Sequence, residues 1–246
     1  MRRYPNAPIV EAVIELRLRF GDAPSIESLD GFCQRVADRF PSKVPMNLMA
    51  VGVAQKPGEE PQVQSNQSQI GFRLTSTNND RIMLVQQASL AYSHLAPYSD
   101  WDTFLSELKS LWETFSEMVS PKAVVRVAAR YINRIVIPEP KIEIKDFFNI
   151  SAEFPETLAP HLSGFFVQLQ LPHPDLHPNA KSVINFSSEP SAQQNTCSFL
   201  FDIDTFREDE LAPNSNEIWE FLEGLRVKKD ALFEASITDN TRALFQ

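Results

Sequence analysis

The hydrophobic pattern at the start of the chain predicts a β-strand over residues 9–20. Val10 and Ile14 share one face with further apolar side chains, whereas glutamates and arginines dominate the alternate face. Alternation with a period of two residues is typical of a strand that buries one face. Ser25 is then a good N-cap for a helix, and Pro41 ends that helix.

The middle of the chain predicts further strands and the strongest helix. The pattern indicates a strand at 46–55, an exposed polar loop at 56–68 and a hairpin of strands at 69–76 and 81–92. Apolar side chains recur at helical spacing over residues 101–119, which predicts a long amphipathic helix. A β-branched run at 123–137 predicts a long strand.

The second half of the chain repeats this order in a looser form. Its predicted elements are a short helix at 143–149, a proline-rich connector at 155–163, strands at 164–172, 180–188 and 196–206, and a helix at 215–236. Corresponding elements recur at an offset of about 115 residues. We therefore predict an α+β protein with a cryptic duplication of a β-α-β-β-β-α unit, with halves at 1–121 and 122–246. We expect one compact unit of mostly antiparallel, curved sheet with the two long helices on one face.

Composition places the chain among ordinary globular proteins. Hydrophobic residues make up 43% and charged residues 22% of its 246 positions, which argues against disorder. The formal net charge is −9, so binding to nucleic acid is not expected. Charged residues interrupt the apolar pattern near the N-terminus, and the longest uncharged stretch is too polar to span a membrane. We therefore expect no membrane association and a cytoplasmic location.

The chain lacks the motifs that known catalytic and cofactor sites use. It has seven glycines and no GxG, so a phosphate-binding loop is not expected, and it contains no GxSxG, HExxH or CxxC. We therefore predict no cofactor. Cys33 and Cys197 lie far apart without metal-ligand spacing, so we expect both to be free thiols.

The segment LPHPDLHP offers a choice between a zinc site and a simple loop. His173, Asp175 and His177 lie in this segment and His161 lies upstream, and imidazole and carboxylate groups at such spacing can bind zinc. The prolines around them favour a solvent-exposed connector. We therefore predict that no metal is bound.

Three arginines on the long β-branched strand are the main candidate for a binding site. Arg126, Arg130 and Arg134 fall on one strand face because their spacing is even. A guanidinium presents a fork of donors that suits phosphate or carboxylate, so this face could recognise an anion. Glu11 and Glu15 of the first strand support the other interpretation, a ladder of Glu–Arg pairs that shields a sheet face. We expect Arg130, in mid-strand, to be the most sensitive charged residue.

Two aspartates extend this candidate site. Asp202 and Asp204 fall on one face of their predicted strand, and Phe201 and Ile203 fall on the other. Two carboxylates on one face can hold Mg²⁺ or act as an acid–base pair. The alternative is a solvated outer face near the edge of a sheet.

Four segments of the chain are distinctive enough to suggest a family. They are the opening YPNAPIVEAVIELRL, the helix start with Trp101 and Phe104, the RYIN run that begins at Arg130, and LFEASITDNTRALF near the end. Together they resemble a sporadically distributed bacterial family of proteins of about 250 residues whose function is not assigned. The patchy distribution of that family is similar to that of accessory genes, including toxin–antitoxin and phage-defence loci.

These observations favour a non-enzymatic binding or interaction protein, expected to act on a protein partner or to self-associate as a homo-oligomer. The alternative is an enzyme or ligand-binding domain for an anionic small molecule. It would use Arg126, Arg130 and Arg134 together with Asp202 or Asp204. The direction in which the arginines point distinguishes the two.

Overall fold

The computed structural model describes residues 4–54, 62–151, 157 and 163–246. In these ranges the chain forms nine strands and five helices. In chain order they are β1 (Ile9–Arg19), α1 (Ile26–Arg35), β2 (Ser42–Ala54), β3 (Gln62–Thr75), β4 (Arg81–Gln86), β5 (Ser89–Leu95), α2 (Trp101–Val119), β6 (Ala123–Ile137), α3 (Ile144–Phe147), β7 (Phe166–Pro172), β8 (Ala180–Glu189), β9 (Cys197–Leu211), α4 (Glu217–Ser236) and α5 (Asp239–Ala243).

The strands form one curved antiparallel sheet, which confirms the α+β class. The strand order is β2-β3-β4-β5-β1-β6-β9-β8-β7. β1 and β6 pair with each other inside the sheet, with Ile14 opposite Ala129, and this pairing is called the β1–β6 seam. Outward from this seam, the next strand on each side is the one that precedes a long helix, namely β5 before α2 and β9 before α4. The remaining strands then follow in reverse chain order on both sides.

Two predicted elements differ from the structure. The strand expected at 81–92 is a hairpin, β4 and β5, that turns at Gln87 and Ala88 without glycine, proline or asparagine. Part of the loop expected at 56–68 belongs to β3. The first half of β3 pairs only with β2, and its mostly polar sequence has no hydrophobic pattern that predicts a strand. Residues 55–61 lie outside the described part of the chain, as does most of the connector expected at 155–163.

The sheet has a core face and a charged face. Ile14, Leu16 and Ala129 belong to the core face and are fully buried. One core cluster contains these residues together with apolar side chains of α1, α2 and α4. A second cluster gathers phenylalanines of β8 and β9 with Phe147 and Ile237. Alternate residues of β1, β6 and β9 form the charged face.

Local capping and aromatic contacts hold the helices on this core. Ser25 accepts a hydrogen bond from the Ser28 backbone and caps α1 as predicted. Asp100 caps α2 in the same way through the Thr103 backbone at 2.8 Å. The indole of Trp112 donates to the Pro213 carbonyl at 3.0 Å and so joins α2 to the chain that enters α4.

No helix in the described ranges is both long enough and apolar enough to cross a membrane.

Candidate functional site

Strand pairing brings the predicted arginines and aspartates together on the charged face. In the pairing of β6 with β9, Arg130 lies opposite Asp204. In the pairing of β6 with β1, Arg126 lies opposite Arg17. The five candidates, Arg126, Arg130, Arg134, Asp202 and Asp204, therefore share one face as expected. Each of the three arginines is engaged with a carboxylate.

Arg126 is the most buried of the three arginines, with 6% of its side chain exposed. Its guanidinium contacts Glu15 on one side and Asp204 on the other, the latter at 2.7 Å. Its central carbon lies 4.0 Å from the centroid of the Phe206 ring, a cation–π contact. Burial raises the pKa of Asp204 above its ordinary value, against the influence of Arg126. The Arg126 Nε and Asp204 Oδ1 atoms are buried without hydrogen-bond partners.

Arg130 makes a bidentate pair with Asp202, with nitrogen–oxygen distances of 2.8 and 2.7 Å. Asp202 also accepts a hydrogen bond from Asn185 at 3.1 Å and is only 5% exposed. The Arg130 side chain is 46% exposed, so its outer surface remains in water. The hydrogen bond to Asp202 raises the pKa of Arg130 further above its ordinary value.

The structure corrects the predicted environment of the aspartates. β9 lies between β6 and β8, so Asp202 and Asp204 are not on a solvated sheet edge. Both carboxylates already bind arginines, so they do not form a free pair for Mg²⁺. Arg134 pairs with Glu189 farther along the strand. A shallow depression of about 350 Å³ lies over the other four candidates. Its lining also includes Arg17 and Glu208, so it contains three arginines and three carboxylates.

The predicted zinc ligands do not form a cluster among the described residues. The sequence predicts that this segment is an exposed connector, but His173 is buried. Its Nε2 atom forms a hydrogen bond with the Ser182 hydroxyl at 2.8 Å. His177 accepts a hydrogen bond from the Asn179 backbone, and Asp175 pairs with Lys228. His161 lies outside the described residues. Elsewhere in those ranges, no group of three potential metal ligands occurs.

Neither cysteine forms a disulfide. Cys33 is buried in the core cluster and Cys197 is half-buried, and both are free thiols. Burial raises the pKa of the Cys33 thiol to about 12. A thiol with a raised pKa carries little thiolate, so Cys33 is not set up as a nucleophile.

A larger cavity lies elsewhere, and the sequence did not predict it. This aromatic pocket has a volume of about 590 Å³ and is formed by the N-terminal segment, the turn between β5 and α2, β6, and α4. Its aromatic lining residues are Tyr4, Tyr98, Trp101, Tyr131 and Phe233. Aromatic walls with a few polar groups are typical of sites that bind small molecules.

Lys229 supplies the most unusual polar group of the aromatic pocket. Its side chain is 9% exposed, and its amino group lies 3.5 Å from the centroid of the Tyr131 ring. The amino group also contacts the carboxylate of Asp230. Burial lowers the pKa of Lys229 below its ordinary value, because the charged form loses solvation.

Two hydroxyl groups lie against the same wall. The Tyr98 and Tyr131 hydroxyls are 3.0 Å apart, and their rings meet edge to face. Burial raises the pKa of Tyr98 to about 12, so both hydroxyls keep their protons near neutral pH. Elsewhere in the lining, the Arg226 guanidinium lies 6.0 Å from the Trp101 ring centroid.

One sequence signal could have located the aromatic pocket. The buried stripe of α4 contains Ile218, Leu222 and Leu225, and the next position at helical spacing is Lys229. A lysine on the buried stripe of an amphipathic helix breaks the pattern, and such a break indicates a special site. In addition, each of the four segments that carry the family resemblance contributes a lining residue. They include Tyr4, Trp101, Tyr131 and Phe233.

Comparison with known proteins adds no further constraint. No protein-family model, curated protein or solved structure matches this chain. Function is therefore inferred from two sites: the charged face, where each candidate arginine has a carboxylate partner, and the aromatic pocket, which the buried Lys229 side chain lines.

Proposed function

We propose that this chain is a non-enzymatic binding protein that takes a small molecule into the aromatic pocket. The observation that carries the proposal is the buried Lys229 side chain, which lines a cavity of about 590 Å³ with aromatic walls. An amino group withdrawn from water is costly, and α4 bears this one on its buried stripe. Such a polar group in an apolar cavity orients a ligand.

The charges around the aromatic pocket favour a neutral ligand. Its lining includes three carboxylates, Asp100, Asp230 and Glu234, and two cations, Arg226 and Lys229. The excess of carboxylates opposes an anion. Two positive charges already lie against the aromatic walls, Lys229 over Tyr131 and Arg226 near Trp101, and they oppose the entry of a further cation. The preferred ligand is therefore planar, largely apolar and uncharged.

A titration with three naphthyl compounds of similar size tests this proposal. Isothermal titration calorimetry compares naphthylmethanol, naphthoate and naphthylmethylamine, which differ in charge near neutral pH. We expect the neutral alcohol to bind most tightly. Ala231→Phe fills the aromatic pocket and should abolish binding, whereas Ala235→Phe lies on the same helix outside the lining and should not. The proposal would be refuted if all three compounds bound the wild-type protein and both variants with the same weak affinity.

We propose a structural role for the arginine face in place of the anionic-ligand alternative. Arg126, Arg130 and Arg134 all have carboxylate partners, and the depression above Arg126 and Arg130 holds equal numbers of arginines and carboxylates. An anion there would have to displace a carboxylate that is already bound. The balanced charge therefore supports the Glu–Arg ladder, extended by the aspartates of β9.

A second function, self-association, is supported by β2. This edge strand exposes Val44, Leu48 and Met49, and its partner β3 reaches well beyond β4. Exposed apolar residues on a long edge strand favour pairing with another strand. We propose that β2 pairs with β2 of a second copy of the chain. Sedimentation velocity tests this: Met49→Glu should give monomers. Phe166→Glu, on the opposite edge strand β7, should leave the oligomer intact.

We also propose that the two halves are a duplication with both long helices on the core face. The matching order of strands outward from the β1–β6 seam supports this, as does the presence of α2 and α4 side chains in one core cluster with Ile14 and Ala129. The first half has one more strand after its first helix than the predicted unit. An experimental structure in which residues 9–119 fail to superpose on 123–236 would refute the duplication.

A further inference from the structure

We infer that Lys229 captures an aldehyde or ketone in the aromatic pocket by forming an imine with it. This inference rests on the proposed function, because it names the polar group of the neutral ligand. A carbonyl is uncharged, conjugates readily with a planar apolar group and reacts with an amine. The chemical class is therefore an aromatic or conjugated carbonyl compound.

The position of the Lys229 amino group supports the inference. Lys229 lines a cavity large enough for a small molecule, and its amino group lies against Tyr131 and Asp230, two further lining residues. The side chain is 9% exposed, so bulk water has little access to it. An imine survives best where water is excluded. Burial also lowers the pKa of Lys229, which increases the fraction of neutral, nucleophilic amine.

Asp230 gives the amino group a proton acceptor. Its carboxylate contacts the Lys229 amino group directly. The other charged or titratable groups of the lining are Asp100, Arg226 and Glu234, the Tyr4 hydroxyl, which donates to Glu234, and the paired hydroxyls of Tyr98 and Tyr131. The two hydroxyls keep their protons near neutral pH, and because one of them donates to the other, one O–H is left to donate to a carbonyl oxygen.

The reaction balances without any additional reactant. The Lys229 ammonium gives a proton to Asp230, and the neutral amine attacks the carbonyl carbon while the carbonyl electron pair moves to oxygen. A proton passes from the attacking nitrogen, which now carries a positive charge, to that oxygen and gives a neutral carbinolamine. The carbinolamine expels its hydroxyl group, which takes the proton back from Asp230 and leaves as water, and the carbon–nitrogen double bond forms. Nothing is oxidised or reduced, and one water is released.

Reductive trapping of the intact protein tests the inference. Naphthaldehyde is added near neutral pH with cyanoborohydride, which reduces an imine to a stable secondary amine, and the modified lysine is found by peptide mass spectrometry. We expect labelling at Lys229 to be on the order of tenfold faster than at Lys228. Lys228 is a matched control because it is adjacent in α4, more exposed and paired with Asp175.

Variants and the alcohol separate this inference from the proposed function. Lys229→Met should lose the adduct, Lys228→Met should retain it, and Asp230→Asn should slow trapping. If the alcohol binds but Lys229 is labelled no faster than Lys228, imine formation is wrong and the pocket remains a binding site. If neither naphthyl compound binds, the proposed function fails as well. The adduct site in the wild-type protein decides the matter even if Lys229→Met does not fold.

Discussion

Arg126 lies between two partly buried carboxylates, so its removal leaves both of them without the positively charged partner that they share. We expect Arg126→Ala to lower the free energy of unfolding by about 3–5 kcal/mol, because Glu15 and Asp204 lose their shared partner. Arg134→Ala should cost less than about 1 kcal/mol, because Arg134 is half exposed. Urea unfolding of both variants makes the comparison, and equal losses would contradict it.

Two buried histidines make stability depend on pH below neutrality. Burial lowers the pKa of His94 and His173 from 6.5, so the folded protein favours their neutral forms and the unfolded chain binds protons more readily. Their contribution is complete above pH 6.5 and is lost as the pH falls towards the lowered pKa values.

The double variant His94→Gln, His173→Gln should flatten this dependence. We expect the wild-type free energy of unfolding to decrease from about pH 7.5 to about pH 5.5, and the decrease to be smaller in the variant. Urea unfolding at both pH values measures the slope. An unchanged slope would show that other groups control acid stability.

The residues of the charged face could be predicted, but their ranking could not. Alternation alone places Arg126, Arg130 and Arg134 on one face. Which of them is buried depends on neighbours from other strands, above all Phe206 and Glu15, and no single segment contains that information. Arg126 and not Arg130 is therefore the arginine that we now expect to matter most for stability.

Gly71 allows β3 and β4 to approach each other closely. A Cβ atom at Gly71 would lie 2.1 Å from the Val85 carbonyl oxygen, which is backbone and cannot move aside without disturbing the pairing. We expect Gly71→Ala to destabilise the protein by about 1–3 kcal/mol. Thermal unfolding monitored by circular dichroism measures the loss.

Gly31 in α1 is the matched control for this substitution. Its added Cβ would meet only the Met118 methyl group at 3.7 Å, an ordinary contact, and alanine favours the helix. Gly31→Ala should therefore stabilise the protein by about 0.5–1 kcal/mol. A loss of stability in both variants would mean that the contact at Val85 is not the cause.

At the level of elements, strong periodicity predicted β1, α2 and β6 closely, because each buries one regular face. Prediction failed where pairing rather than burial decides the structure. The first residues of β3 are polar and pair only with β2, so they carry no hydrophobic pattern. The turn between β4 and β5 has no characteristic turn residue.

The β1–β6 seam joins the two halves of the whole molecule. Fragments 1–121 and 122–246 would each expose one long strand edge, so we expect each to be poorly soluble alone and the two to associate when co-expressed. Co-purification through a tag on one fragment measures the association. Val13→Pro removes a backbone N–H that faces β6, because the Val10 and Leu18 backbones at alternate positions bond to the β5 side. It should prevent the association, and soluble, separate fragments would contradict the prediction.

The seam also determines when the protein can complete its sheet on the ribosome. β6 is synthesised directly after the first half and can pair with β1 at once, but its other partner, β9, begins only at Cys197. At about 5–20 residues per second, the intervening chain of roughly 60 residues takes roughly 3–12 s to synthesise. During that interval the nascent chain presents the unpaired edge of a long β-branched strand. Aggregation of this protein should therefore be governed by the speed of translation between β6 and β9.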